Sequence, residues 1–415
     1  MAEWITLPNG VRVALEPMAG VRSITLGVWA GSGSRWESPA ENGSSHFIEH
    51  MLFKGTRTRS ARDIAEEMDA VGGQINAFTT KEYTCFHTRV LDTHFSKALD
   101  VLQDMYIHPR FDADDVEREK GVIADEIAMY EDDPEDLCLE GLEQGIWQGS
   151  GLGQPILGRT ETVNGLSRQG LVAFCQGHYR PEDTVVAVAG SFKAEEMQAR
   201  LAESFGSFAR TGSRREQAPA AYVPARRLVQ REIEQLHLCQ GFPGLPRDHR
   251  LKYALSVFNT LFGGGMSSRL FQNIREACGL TYTISSYTTA FPDTGLFAVY
   301  AAMSPAQAER VKDLVLAEME KIRTEGVSQA LLQKTKDQLA SSFLLGAEST
   351  ANRMSALGSS LLVRGRIQDS EQVLRELEAV TRGDVEQVME LLLRPEKMSI
   401  SAVGNESALA ACGRF

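Results

Sequence analysis

Two short apolar runs closed by glycine, Val185-Val186-Ala187-Val188-Ala189-Gly190 and Met398-Ser399-Ile400-Ser401-Ala402-Val403-Gly404, lie far apart in the 415-residue chain. What precedes each follows one order. In the first half, Leu7-Pro8-Asn9-Gly10 is a turn signal followed by alternating Val11, Val13 and Leu15, the start of a hairpin. Residues 24–29 are strand-like, 40–60 and 61–71 take helical spacing, 75–90 return to strand, and 95–105 and 113–130 are helical. In the second half, strand-like 236–241 leads to helical 251–261 and 269–277. Strand-like 280–286 and 296–302 come next, then helical 305–323. One core rarely grows past about 250–300 residues, so a chain of this length is expected to divide. The repeated order predicts an α+β fold of two homologous α/β-sandwich domains, each an antiparallel-rich mixed sheet packed by helices. Residues 209–225 are polar, proline-containing and aperiodic. The boundary belongs there, giving domains 1–212 and 213–415.

Within the first domain, His46-Phe47-Ile48-Glu49-His50 stands in helical context after Ser44 and Ser45, expected helix-start residues. Positions i and i+4 share a helix face, so both imidazoles can reach one tetrahedral zinc ion. Glu49 falls beside them, where a carboxylate must be to take a proton from an attacking water. The order inverts the commoner H-E-x-x-H, and both orders occur in zinc hydrolases. A catalytic zinc takes three protein ligands and keeps one position open. Helical 117–127 is the richest source of the third. Glu119 and Glu126, seven apart, share one face, and on periodicity alone Glu119, Asp125 and Glu126 are all candidates, with Asp125 the most ordinary solvated charge.

The run His46-Phe47-Ile48-Glu49-His50-Met51-Leu52-Phe53-Lys54-Gly55-Thr56 closely resembles the signature of the pitrilysin-type zinc peptidases, which include the mitochondrial processing peptidases and half-size bacterial enzymes. The resemblance implies Glu126 as the third ligand and Glu119 as the carboxylate that orients one. Gly72-Gly73-Gln74-Ile75-Asn76-Ala77-Phe78-Thr79 resembles the family's edge strand beside the metal, so Asn76, Ala77, Phe78 and Thr79 are expected to pair with an extended substrate. Residues 267–282 resemble the family's distal segment. Its Arg and Tyr fall on Arg275 and Tyr282, implied to contact substrate near the scissile bond. The likeness is densest over 43–90, 116–136 and 263–287 and runs in order along the whole chain. Tyrosines often found in the family are here Phe86 and His87; His87 reads as structural.

The resemblance thus implies a zinc metalloendopeptidase with one Zn²⁺ per chain, acting on peptides or unfolded segments inside the chamber of a homodimer. Residues 1–212 would be the catalytic domain and 213–415 the domain carrying Arg275 and Tyr282. The alternative is a non-catalytic binding or assembly subunit; such relatives usually have the motif degraded, whereas here it is whole.

Composition narrows the partners. Lys+Arg number 43 against 55 Asp+Glu, a net −12 that disfavours nucleic acid and anionic membranes. No apolar run approaches the roughly 18–20 residues of a membrane span, and Met1-Ala2-Glu3-Trp4 opens no secretory signal. Six scattered cysteines without a C-x-x-C pair fit buried free thiols in a reducing compartment, so the cytoplasm is expected. Gly263-Gly264-Gly265 lacks the Lys-Ser/Thr of a phosphate loop and is expected to be a flexible, substrate-contacting loop. The acidic run 131–136 is expected to be a solvated loop.

Overall fold

A computed structural model of the chain describes residues 2–212 and 217–412. Its first sheet contains β1 (Glu3–Thr6), β2 (Arg12–Pro17), β3 (Ser23–Ala30), β4 (Gln74–Thr79), β5 (Thr84–Leu91) and β6 (Thr184–Gly190), in the order β1-β2-β6-β3-β5-β4. The second contains β7 (Arg226–Gln230), β8 (Leu236–Pro243), β9 (Thr281–Ala290), β10 (Gly295–Met303) and β11 (Ser399–Gly404), in the order β7-β11-β8-β10-β9. Each contains one parallel pairing, β2 with β6 and β7 with β11, and is otherwise antiparallel. The two glycine-closed runs are β6 and β11. They occupy equivalent places, so the repeat read from element order is present in the pairing pattern.

Both faces of β6 are buried, which is why it reads as an uninterrupted apolar run rather than an alternation. Val186 and Val188 face a core shared with Phe47, Ile48, Met51 and Leu52 of the helix Ser44–Leu52 and with Ile123 and Ile127 of the helix Ala113–Asp132. Full burial of each such side chain contributes about 1.5–3 kcal/mol. Val185, Ala187 and Ala189 face the other way, together with Trp29, onto Met354, Leu357 and Leu361 of the helix Thr350–Arg364. The second sheet repeats the device. One face packs Leu238, Phe297 and Val299 on Phe258 and Val315, and the other packs Cys239, Ala298 and Val403 on Cys138 and Leu142 of the helix Pro134–Ile146.

By their contacts the residues divide into two compact units: 1–127, 154–217 and 343–370 in the first, and 128–153, 218–342 and 371–415 in the second. A single cut at 212/213 cannot express this, because each unit takes a helix from the far half of the chain. Ser213, Arg214, Arg215 and Glu216, where that boundary falls, lie outside the described residues. Arg210, read as linker, is seated in the first unit. It donates to the carbonyls of Tyr106 (2.8 Å) and Tyr179 (3.3 Å) and lies over the Phe208 ring.

Other local readings change. The acidic run is no loop: the helix Ala113–Asp132 absorbs its first residues, and Asp133 caps the helix Pro134–Ile146 by accepting from the amides of Glu135 and Asp136. Expected helix 269–277 is present over 269–276, but from Phe271 to Glu276 it is π-helical. All six cysteines are free, but Cys278 is exposed while the rest are buried. Among the described residues, no helix is long and apolar enough to cross a membrane.

Candidate metal centre

The helix Ser44–Leu52 begins in an unexpected way. Ser44 and Ser45 are its first two residues, and the capping position is Gly43, whose φ of +99° is open to glycine and strained for other residues. Gly43 has no side chain to cap the helix, so Glu37 supplies the acceptor. It takes hydrogen bonds from the Gly43 amide (2.8 Å), the Ser45 amide (2.7 Å) and Asn42 Nδ2 (2.9 Å). A carboxylate at a helix N-terminus also meets the positive end of the helix dipole. Burial pushes the Glu37 carboxyl up, and the donated hydrogen bonds only partly offset that. Nothing local in the sequence marks Glu37, because the contact is set by the turn between it and the helix.

From that start, His46 and His50 project one turn apart with ring centroids 4.6 Å from each other. Glu126, on the helix Ala113–Asp132, brings Oε2 to 3.6 Å from His46 Nε2 and 3.5 Å from His50 Nε2. The three donor atoms lie within 4.8 Å of one another, the one such group found among the described residues. These separations are long for hydrogen bonds. They are close to the roughly 3.4 Å that separates ligand atoms about 2.0–2.1 Å from a tetrahedral zinc. The donor set of two imidazole nitrogens and one carboxylate therefore fits that ion.

Glu119, two turns before Glu126, is buried at 3 % exposure. Its Oε1 lies 3.0 Å from His50 Nδ1 and its Oε2 lies 2.6 Å from Lys54 Nζ. Burial pushes this carboxyl up, but the bonds to His50 and Lys54 outweigh it and hold it below the ordinary range. With the proton on Nδ1, Nε2 of His50 is free to ligate. His46 has no such support: its Nδ1 is buried without a hydrogen-bond partner among the described residues. Burial, and next the neighbouring His50, lowers His46 to about 3, so the imidazole is neutral, as a ligand must be. Asp125 is exposed and outside the group. His87 packs its ring 6.1 Å from Phe78 and is also outside it.

Glu49 is pushed up chiefly by burial, against a hydrogen bond from the Thr79 hydroxyl. Thr79 ends β4, which is an edge strand paired on one side with β5. Asn76, Ala77 and Phe78 precede it. The Ala77 amide donates to Asn76 Oδ1 (2.8 Å), and the Phe78 ring stands 5.7 Å from Trp29. Arg275 and Tyr282 belong to the second unit and are neighbours there. The Arg275 guanidinium lies 4.4 Å from the Phe271 ring centroid and 6.0 Å from that of Tyr282, which is 74 % exposed. Gly263 ends the helix Lys252–Phe262 and accepts from the Ser286 amide of β9 at 3.1 Å.

Residues 12–160 match the family model of insulinase, peptidase family M16, and residues 165–339 match that of the peptidase M16 inactive domain. The uncharacterized zinc protease YmxG of Bacillus subtilis is 40% identical over 92% of this chain and 93% of its own. The chain belongs to peptidase family M16. An uncharacterized zinc protease of Streptomyces coelicolor is also 40% identical, over 96% of this M16 chain and 88% of its own. Two solved structures share the fold. A protease from Helicobacter pylori has TM-score 0.92 and 19% identity, covering 97% of this chain and 99% of that one. A structure from Pseudomonas fluorescens described as a peptidase M16 inactive domain has TM-score 0.90 and 21% identity, covering 97% and 98%. In this M16 chain the insulinase match contains His46, Glu49, His50, Glu119 and Glu126; the other match contains Arg275 and Tyr282.

Proposed function

We propose that this M16 chain is a zinc-dependent metalloendopeptidase acting on peptides or extended protein segments. The observation that supports it best is the convergence of His46 Nε2, His50 Nε2 and Glu126 Oε2 at ligand spacing beside a half-tethered Glu49. Those three residues hold the ion, one per chain. Zinc bound there supplies a Lewis acid that polarises a peptide carbonyl and acidifies water. Glu119 keeps the Nδ1 proton of His50 in place. Glu49 has one oxygen held by Thr79, and the other has no hydrogen-bond partner among the described residues. That second oxygen takes a proton from the attacking water and later returns it to the leaving amine, so each turnover restores the carboxylate.

The unpaired edge of β4 presents backbone donors and acceptors to an extended chain, which adds as one more strand along Asn76 to Thr79. Arg275 and Tyr282 supply donors to a substrate carbonyl and to the developing oxyanion. The working form is a homodimer in the cytoplasm, in which these two residues of one subunit serve the metal site of the other. Metal analysis and cleavage of a quenched peptide library, with and without chelator, test the reading. Zinc at one per chain with chelator-sensitive cleavage supports it. A zinc-loaded chain that cleaves nothing, or cleavage indifferent to chelator, overturns it.

A further inference from the structure

The Thr79 hydroxyl does something its place on a substrate-pairing strand does not require. A strand residue pairs a peptide through its backbone, and any side chain would serve. The Thr79 hydroxyl instead donates to Oε2 of Glu49, a residue thirty positions earlier on the helix Ser44–Leu52.

The hydroxyl is held firmly. Threonine is branched at Cβ and stiff at χ1. Thr79 pairs in register with Thr84 across the hairpin, and the two hydroxyl oxygens are 3.2 Å apart. Thr84 Oγ1 spends its own proton on the Ser32 carbonyl at 2.9 Å, and the single proton of Thr79 goes to the Glu49 carboxylate, a stronger and closer acceptor than the Thr84 hydroxyl. The four-residue turn beyond is closed by the Thr80 amide and hydroxyl, both donating to the Tyr83 carbonyl, at 2.8 and 2.9 Å. The glutamate has three rotatable side-chain bonds and no other side-chain hydrogen-bond donor among the described residues. Untethered, its carboxylate would sample several rotamers, of which few point at the metal site.

We infer that Thr79 is a positioning residue for Glu49: its hydroxyl pins one carboxylate oxygen so that the other is presented to the reacting water. The inference rests on the peptidase reading above. It also makes β4 bifunctional, since the strand that aligns the peptide backbone is the one that aligns the base.

Two variants separate the hydroxyl from the strand. Thr79→Val keeps the branched shape and the backbone and deletes the donor. Thr79→Ser keeps the donor. With a quenched peptide substrate, T79V is expected to lose about tenfold to a hundredfold in kcat, the range for one hydrogen bond to a charged group. Its KM should stay within about twofold, since the backbone pairing is untouched. T79S is expected to recover most of that loss. Zinc affinity, read by competition with a fluorescent chelator, and melting temperature should match the parent in both variants. In a Glu49→Gln background, T79V should cost nothing further, because the two act as one unit. Parental kcat in T79V, equal losses in T79V and T79S, or a change confined to KM would each overturn the assignment. If the parent chain itself fails to cleave with zinc bound, the peptidase reading fails instead, and the two failures are told apart by that control.

Discussion

His50 Nδ1 and Glu119 Oε1 stand 3.0 Å apart, and the other oxygen of Glu119 meets Lys54, four residues after His50 on the same side of the chain. The carboxylate thus bridges a histidine of the candidate metal group and a lysine just beyond the end of its helix. Glu119→Gln keeps the shape but weakens both contacts. Outer carboxylates of this kind are worth about 10–100-fold in metal affinity. Titration against a competing chelator should find zinc held more loosely by about that factor, with the fold intact.

Glu49→Gln should retain zinc and lose most turnover, because general-base catalysis contributes about 10²–10⁴-fold. Metal analysis alongside peptide cleavage checks both halves. Activity near the parental level would remove Glu49 from the chemistry.

His50→Ala and Glu126→Gln should each lose stoichiometric zinc, since each removes one of three donors within 4.8 Å of one another. Purified variants that still hold one equivalent after dialysis would contradict the ligand set.

Acid should destabilise the metal-free chain. Burial lowers His46 from its ordinary value of 6.5 to about 3, so between those values the unfolded chain binds a proton that the folded chain refuses. Stability therefore rises with pH across that window and is lost as pH falls from about 6.5 towards 3. Denaturant titrations of the metal-free protein at several pH values measure the slope. A His46→Gln variant should show less of it.

Gly358 of the helix Thr350–Arg364 lies so close to Trp29 that a Cβ there would overlap the indole ring. Gly358→Ala should cost about 1–3 kcal/mol, the usual range for forcing volume into a packed contact. Gly27→Ala meets the thioether of Met354, which sits on a flexible side chain, and only one atom of the Trp29 ring, Nε1 at 2.8 Å, so it should cost less. Denaturation of the two variants side by side tests the ranking.

What could be read from sequence was local or periodic. The i, i+4 imidazoles needed a helix, and a helix is there. Glu119 and Glu126 share a face because seven residues make about two turns. The doubled element order showed through because β6 and β11 are buried on both faces and so read as continuous apolar runs. Other features depend on chain segments meeting in space. Glu37 caps the His46 helix through a turn that no capping motif announces. The Thr79 side chain reaches Glu49 only once β4 lies beside that helix. The acidic run looked like a loop because charge masked a junction between two helices, with Asp133 as the cap.

The crossing helix has a consequence for biogenesis. The outer face of the first sheet, with Trp29, Val185, Ala187 and Ala189, waits for Met354, Leu357 and Leu361. On the ribosome these arrive long after β6 has emerged. At about 5–20 residues per second the delay is on the order of ten seconds or more. During that interval a nascent chain bears an uncovered apolar sheet, a natural client for chaperones. Truncation anywhere before residue 350 strands it in that state.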